Sequence, residues 1–291
     1  MNKPVVSVCC LAYNHESYIR QCLDGFVMQQ TNFPFEVLIH DDASTDNTVA
    51  IIKEYVAKYP DIIKPVYQTE NQYSKGVKVT SVYNFPRAQG RYIAMCEGDD
   101  YWIDPLKLQK QVDFMDENPD FSFSMGRVDI LIDSTGEIKK RKEMVNPLKR
   151  EYLTLKDYLK GPISQTSSFV FRNEDKPFPE WVKNVHAGDQ SLVIIKTGVS
   201  GKIKYHEECL SIYRINEKSV SFKSGFNVYL KSIQTLAIWN EYTNFNFAKI
   251  IRFRLFKQRL MANIISIKNL FIRRLFMRLV KDVYFILIKL Y

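Results

Sequence analysis

Apolar residues come in short, evenly spaced runs through the first hundred positions, and the runs alternate between two periods. Val5–Leu11 is apolar except at Ser7, the pattern of a strand covered on both faces. From Glu16 to Gln30 the period changes. Ile19, Leu23, Phe26 and Val27 fall three and four apart, which predicts a helix. Phe35–Ile39 predicts a second strand, and Asp46–Tyr59 a second helix that stops before Pro60. Ile62–Tyr67 and Arg91–Cys96 read as further strands, with weaker helical patterning over Val77–Ala88 between them. Asp104 followed by Pro105 predicts a capped helix start and a helix to about Glu117. Repeated βα units of this kind predict an α/β fold, a Rossmann-like, mostly parallel sheet flanked by helices.

After Pro119 the pattern loosens. Phe121–Ile132 predicts a strand ending at the turn Asp133-Ser-Thr-Gly136, and the charge-dense stretch 137–150 an exposed loop. Ser167–Arg172 and Cys209–Tyr213 predict strands, and Asp189–Thr197 a short helix ended by Gly198. From Val228 onward the chain reads as a helical extension. These changes divide the chain into residues 1–118, 119–225 and 226–291.

Composition excludes disorder and low-complexity architectures: of 291 residues, 46% are hydrophobic and 25% charged. The net charge of +9 suggests an anionic partner, but it is not spread evenly. Residues 1–225 hold 29 basic and 30 acidic side chains; residues 226–291 hold 12 basic and two acidic ones, Glu241 and Asp282. The excess therefore lies in the last 66 residues. On a helix, Phe253, Phe256, Leu260, Ile264, Ile267 and Phe271 form one stripe, bordered by Lys257 and Lys268 and by Arg252 and Arg259. Such a face over residues 250–291 suits an anionic membrane surface. A helix packed on the rest of the domain is the alternative; nucleic acid is not expected, since no recognised binding motif is present. The five cysteines include no CxxC, which points to a reducing compartment. The N-terminus turns polar too early for a signal peptide and Val283–Ile288 is too short to span a bilayer. A cytoplasmic protein, peripheral on the inner face of the cell membrane, is the expectation.

In a parallel α/β sheet, ligands bind beyond the carboxyl ends of the strands. Three polar clusters fall there: Ala12-Tyr-Asn-His-Glu16, His40-Asp-Asp-Ala-Ser-Thr-Asp46 and Glu97-Gly-Asp-Asp-Tyr-Trp102. Taken singly, each has an ordinary explanation. Asp42 to Asp46 can cap the second helix, and an Asp-Asp pair can be a solvated turn. Taken together, adjacent carboxylates at neighbouring strand ends point to a divalent cation, Mg²⁺ or Mn²⁺, bridging the phosphates of a nucleotide. No GxGxxG, GxxxxGK[ST] or GxSxG motif is present, which disfavours dinucleotide, P-loop and serine-hydrolase chemistry.

The segments PVVSVCCLAYNHESYIRQCLDGFVMQQ, FEVLIHDDASTDNT and GRYIAMCEGDDYWIDPLKLQKQ, followed by QTSSFVFR and HAGDQSLVIIKTGVSGKIKYHEECLSIYR, resemble bacterial family 2 glycosyltransferases of the GT-A fold over about residues 4–222. The resemblance implies inverting transfer of one sugar from a nucleotide-sugar, with a uridine-type base, to a glycan or lipid-linked hydroxyl in surface polysaccharide synthesis. Residues 1–118 would then bind the donor and 119–225 the acceptor. It also implies roles. Leu11, Ala12, Tyr13, Asn14 and Glu16 would cradle the nucleotide, and Asp42 would accept the base imide N–H. Glu97 and Asp99 would lie at the ribose or sugar, and Asp100 would hold the metal. Asp189, locally an ordinary helix cap, would be the general base. Asn216 stands where family members often carry histidine. No Gln-x-x-Arg-Trp motif is present, so a single transfer rather than polymerisation is expected. A sugar nucleotidyltransferase and a non-catalytic membrane scaffold are the alternatives; the former calls for a glycine-rich basic loop after strand one, which Tyr13-Asn-His-Glu16 is not.

Overall fold

A computed structural model describes residues 3–140, 151–160, 163–174, 179–185, 188–216 and 225–266. The predicted alternation forms as β1 (Val6–Ala12), α1 (Ile19–Val27), β2 (Phe35–Asp41), α2 (Thr48–Lys58), β3 (Ile63–Tyr67), β4 (Tyr92–Met95), β5 (Tyr101–Trp102) and α3 (Lys107–Glu117). Next come β6 (Phe121–Ile132), β7 (Glu137–Lys139), β8 (Leu153–Thr154), α4 (Leu155–Lys160), β9 (Val170–Arg172), α5 (Gly188–Thr197) and β10 (Lys202–Ile215). Two helices follow, α6 (Gly225–Tyr242) and α7 (Ala248–Ser266).

All ten strands share one sheet, in the order β3-β2-β1-β4-β9-β6-β10-β5, with β7 on β6 and β8 on β10. β1, β2, β3 and β4 are parallel, as buried apolar runs require, and β9 runs antiparallel between β4 and β6. Only residues 96–100 separate β4 from β5, yet β5 pairs with β10 at the other end of the sheet path. The sheet therefore curls, and the short acidic segment between β4 and β5 spans the closure.

Alternation along β1 builds both layers of core. Val6, Val8, Cys10 and Ala12 join Ile19, Leu23 and Phe26 of α1 on one face. Cys9 joins Leu38, Ile93 and Phe123 on the other. That second layer is roofed by α4, α5, α6 and α7, through Leu159, Val193, Trp239 and Ile251.

Several boundaries differ from expectation. α1 begins at Ile19, because residues 13–18 are used in a loop. α3 begins at Lys107; Asp104 instead caps the preceding turn, accepting the Leu106 N–H at 2.9 Å. The weak helical patterning at Val77–Ala88 becomes a π turn, Thr80–Asn84, and a 3₁₀ turn, Phe85–Arg87, with Pro86 preventing continuation. Part of the expected loop 137–150 pairs as β7, and 141–150 lie outside the described residues. The strand expected at Cys209–Tyr213 is fourteen residues long; bulges around His206–Ser211 interrupt its register with β6 and obscure its period. Of the expected stripe on α7, Phe253 and Leu260 are half-buried. Ile251 is buried, Ile250 and Leu255 pack beside it, and Phe256 is 63% exposed. Residues 267–291, which hold the rest of the stripe, lie outside the described residues.

Candidate donor site at the sheet closure

The carboxyl ends of β1 and β2 each exit through a left-handed residue, Asn14 (φ 54°) and Ala43 (φ 64°). Neither is glycine, so the conformation is held by its surroundings. The Asp41 carboxylate accepts the Ser44 N–H at 3.0 Å and its hydroxyl at 2.5 Å. Asn14 donates its N–H to Ser44 Oγ at 2.9 Å, and its side-chain oxygen accepts the Thr45 N–H at 2.8 Å. The two loops are thus one hydrogen-bonded unit. Glu16 belongs to it: its carboxylate accepts both the N–H and the side-chain amide of Asn47 at 3.0 and 2.9 Å, at the start of α2. Asp46 accepts from Thr48 and from the Glu16 N–H, and these bonds hold its carboxyl below the ordinary value although partial burial works against them. Tyr13 projects from this unit, 45% exposed; Leu11 is half-buried and Ala12 buried.

Asp42 is buried, and its carboxylate accepts the N–H groups of Gln72 and Tyr73 at 2.8 and 3.0 Å. His40 Nε2 approaches the same carboxylate at 3.4 Å; burial lowers the His40 pKa, so the ring is neutral at pH 7. These three partners leave Asp42 room for one further donor, since an ionised carboxylate offers about four acceptor directions.

The acidic segment lies between these loops and β10. Glu97 is exposed, Asp99 half-buried and Asp100 buried. Gly98 fits between Leu11 and His15: its N–H donates to the Leu11 carbonyl at 2.8 Å, and a Cβ there would lie 2.8 Å from His15 Nδ1. Burial pushes the Asp100 carboxyl well above the usual range, with Asp99 and Glu97 adding like-charge repulsion. The Arg214 N–H donates to Asp100 at 2.9 Å. A divalent cation would relieve that repulsion. Among the described residues, no group of three His, Cys, Asp or Glu could hold a metal by itself. The donor set therefore fits a hard cation bound by one or two carboxylates and completed by phosphate oxygens.

Residues around the acidic segment complete the site, Arg214 being one that the sequence did not single out. Arg214 is buried and fans out to three partners: the Asp99 carbonyl, Asp133 and Gln21. Asn216 Nδ2 reaches Asp99 Oδ2 at 3.4 Å, so the residue in the family's histidine position does face the acidic segment. The Trp102 indole N–H donates to the Ser167 carbonyl at 2.7 Å, tying β5 to the turn before β9. β10 also carries Lys202, Lys204, Glu207 and Glu208, so no local pattern singled out Arg214. Asp189 is the second residue of α5, and its side chain lies outside the described residues.

A family model described as "Glycosyl transferase family 2" matches residues 7–176, which include β1 to β9 and both acidic loops. The chain belongs to glycosyl transferase family 2. Among curated relatives, it is 37% identical over 209 residues to the uncharacterized protein Rv1520 of Mycobacterium tuberculosis, which covers 72% of this chain and 58% of that one. It is 35% identical over 121 residues, 41% of this chain and 45% of the other, to the UDP-Glc:alpha-D-GlcNAc-diphosphoundecaprenol beta-1,3-glucosyltransferase WfaP of Escherichia coli. The chain thus spans roughly half the length of these relatives. The fold matches the mannosyltransferase PcManGT of Pyrobaculum calidifontis, solved with GDP-Man and Mn²⁺, at a TM-score of 0.63 and 16% identity over 96% of this chain and 80% of that one. This is the GT-A architecture, with two helices appended.

Proposed function

We propose that the protein is an inverting glycosyltransferase that moves one sugar from a nucleoside-diphosphate donor to a hydroxyl of a glycan or lipid-linked acceptor. The carrying observation is the buried Asp100, crowded by Asp99 and Glu97 at the meeting of β1, β4 and β10. Asp42 accepts a ring N–H of the base, for which it has one acceptor direction left. That requirement admits uracil or guanine and rejects cytosine, whose ring nitrogen is an acceptor. Within that pair, the family resemblance favours uridine, and the name of WfaP contains UDP-Glc. Tyr13 packs on the nucleotide beside Leu11, Ala12 and Asn14, while Glu16 holds the loop in shape. Asp99 and Glu97 face the ribose and sugar hydroxyls. Asp100 would hold a Mn²⁺ or Mg²⁺ ion, which would supply neutralisation of the departing diphosphate. Asp189 takes the acceptor proton as the hydroxyl attacks C1 from the opposite face.

The acceptor reading draws on the WfaP name, which includes a diphosphoundecaprenol-linked sugar, and on the basic extension. Arg252, Phe256 and Arg259 lie on one exposed face of α7, and Phe245 at the α6–α7 turn is 59% exposed. An apolar residue flanked by cations suits an anionic leaflet, so we place the enzyme on the inner face of the membrane. Among the described residues, no helix is long and apolar enough to cross a membrane.

The test is a donor panel. Incubation with UDP-, GDP- and CDP-sugars, Mn²⁺ and a lipid-linked saccharide pool is expected to release UDP or GDP and give a product heavier by one sugar. Asp189→Asn is expected to retain donor binding and lose transfer. Turnover of CDP-sugars alone, or wild-type transfer by Asp189→Asn, would contradict the assignment.

A further inference from the structure

A buried arginine beside a diphosphate site invites the reading of a phosphate ligand, because its charge and planar fork suit that anion. The contacts of Arg214 point elsewhere. Nε donates to the Asp99 carbonyl at 3.0 Å, Nη1 to Asp133 at 3.1 Å and Nη2 to Gln21 at 2.6 Å. The Tyr18 ring lies 4.7 Å from the guanidinium carbon and the Tyr101 ring 5.6 Å from it. Asp133 is fixed in turn, since the Tyr18 hydroxyl donates to its second oxygen at 2.8 Å. Three of the five guanidinium N–H groups donate to protein, two tyrosine rings flank it, and its charge is met by Asp133.

The residue nonetheless governs the acidic pair. Its main-chain N–H holds Asp100 Oδ1 at 2.9 Å, its side chain holds the peptide of Asp99, and Asn216 two positions on contacts the Asp99 carboxylate. Alternate residues of a strand share a face, so the end of β10 is a template against which both carboxylates are set. Ser211 and Ile212 of β10 pair with Trp102 and Tyr101 of β5, which fixes the register immediately beyond the acidic segment. One guanidinium thereby joins α1, the turn after β6, β10 and the acidic segment at the closure of the curled sheet.

We propose that Arg214 is a positioning residue, a clasp that holds Asp100 where it would meet a divalent cation and the neighbouring Asp99 peptide in place beside it, and that it is not a ligand of the diphosphate. The proposal rests on the cation–diphosphate reading above. Lysine cannot replace it: a single ammonium cannot serve three acceptors in fixed, diverging directions.

Calorimetric titration of wild-type protein, Arg214→Lys and Asp133→Asn with uridine, with UDP and with UDP plus Mn²⁺ separates the roles. For Arg214→Lys, uridine and metal-free UDP should bind as in wild type, within about twofold. The enhancement of UDP binding by Mn²⁺ should fall by about tenfold or more, the loss typical when a partner orienting metal ligands is removed. Equal weakening of UDP with and without Mn²⁺, with uridine spared, would make Arg214 a direct phosphate ligand and overturn the proposal. Weakening of all three probes together, or of none, would also overturn it. Asp133 is partly exposed, so Asp133→Asn provides the result should Arg214→Lys not fold. It should lower the Mn²⁺ enhancement in the same direction, and an undiminished enhancement would reject the clasp. Wild-type protein whose UDP binding ignores Mn²⁺ would refute the cation–diphosphate reading itself, and the clasp with it.

Discussion

Replacing Gly98 by alanine should disturb the acidic segment through contact alone. Gly98 is not among the residues with positive φ, so alanine meets no backbone penalty there. The added Cβ would lie 2.8 Å from His15 Nδ1, 3.0 Å from the Leu11 carbonyl and 3.1 Å from Ile19 Cδ1. None of these can step aside easily. The Leu11 carbonyl is main chain of β1 and already accepts the Gly98 N–H; Ile19 is fully buried; His15 Nδ1 is buried as well. Overpacking of this kind costs about 1–3 kcal/mol. Alanine also restricts the unfolded chain, which offsets about 0.4–1 kcal/mol, leaving a net loss between about 0 and 2.6 kcal/mol. Urea denaturation of wild type, Gly98→Ala, His15→Ala and the double variant measures it. Removing the ring removes the tightest side-chain contact, so Gly98→Ala should cost less by about 1 kcal/mol in the His15→Ala background. A net stabilisation by Gly98→Ala, or an identical cost in both backgrounds, would refute the packing argument.

Other expectations follow from the same geometry. Burial holds the His206 pKa down to about 4, so its contribution is present above the unfolded value near 6.5 and is lost as pH falls through 4. Wild-type stability should therefore decline by about 3 kcal/mol at most across that window from this group, and His206→Gln should flatten the decline; matching pH profiles would contradict the assignment. Ile251→Ala, on the packed face of α7, should cost about 2–5 kcal/mol in denaturation, whereas Phe256→Ala on the exposed face should cost less than about 0.5. In flotation with anionic vesicles the order should reverse, with Phe256→Ala weakening binding more than Ile251→Ala. Equal flotation of Phe256→Ala and wild type would argue against contact between that face and lipid.

What the sequence made legible was whatever had a local cause. β1 and β2 announce themselves because their apolar runs are covered on both faces, and α1 and α2 because one stripe of each faces the sheet. The acidic loops were visible because carboxylates crowd at strand ends. β10 was only partly legible, since its bulges break the period of two, and α4 left no signal in six residues. The packing face of α7 was not legible. Phe256 sits in an apolar stripe, yet the inward face is set by Ile251 and Leu255 meeting Trp239 and Leu159, contacts that no periodicity contains. The clasp was invisible for the same reason: Arg214 meets Gln21, Asp99 and Asp133 only when the sheet curls, across separations of up to 193 residues.

The central claim is that Asp100 holds a divalent cation against the diphosphate of the donor. Its most direct measurement is the affinity for UDP with and without Mn²⁺ in wild type and Asp100→Asn, a substitution that removes the charge and keeps an acceptor for the Arg214 N–H. Mn²⁺ should tighten UDP binding in wild type by about tenfold or more and leave Asp100→Asn unmoved. The same Mn²⁺ enhancement in both proteins would contradict the account.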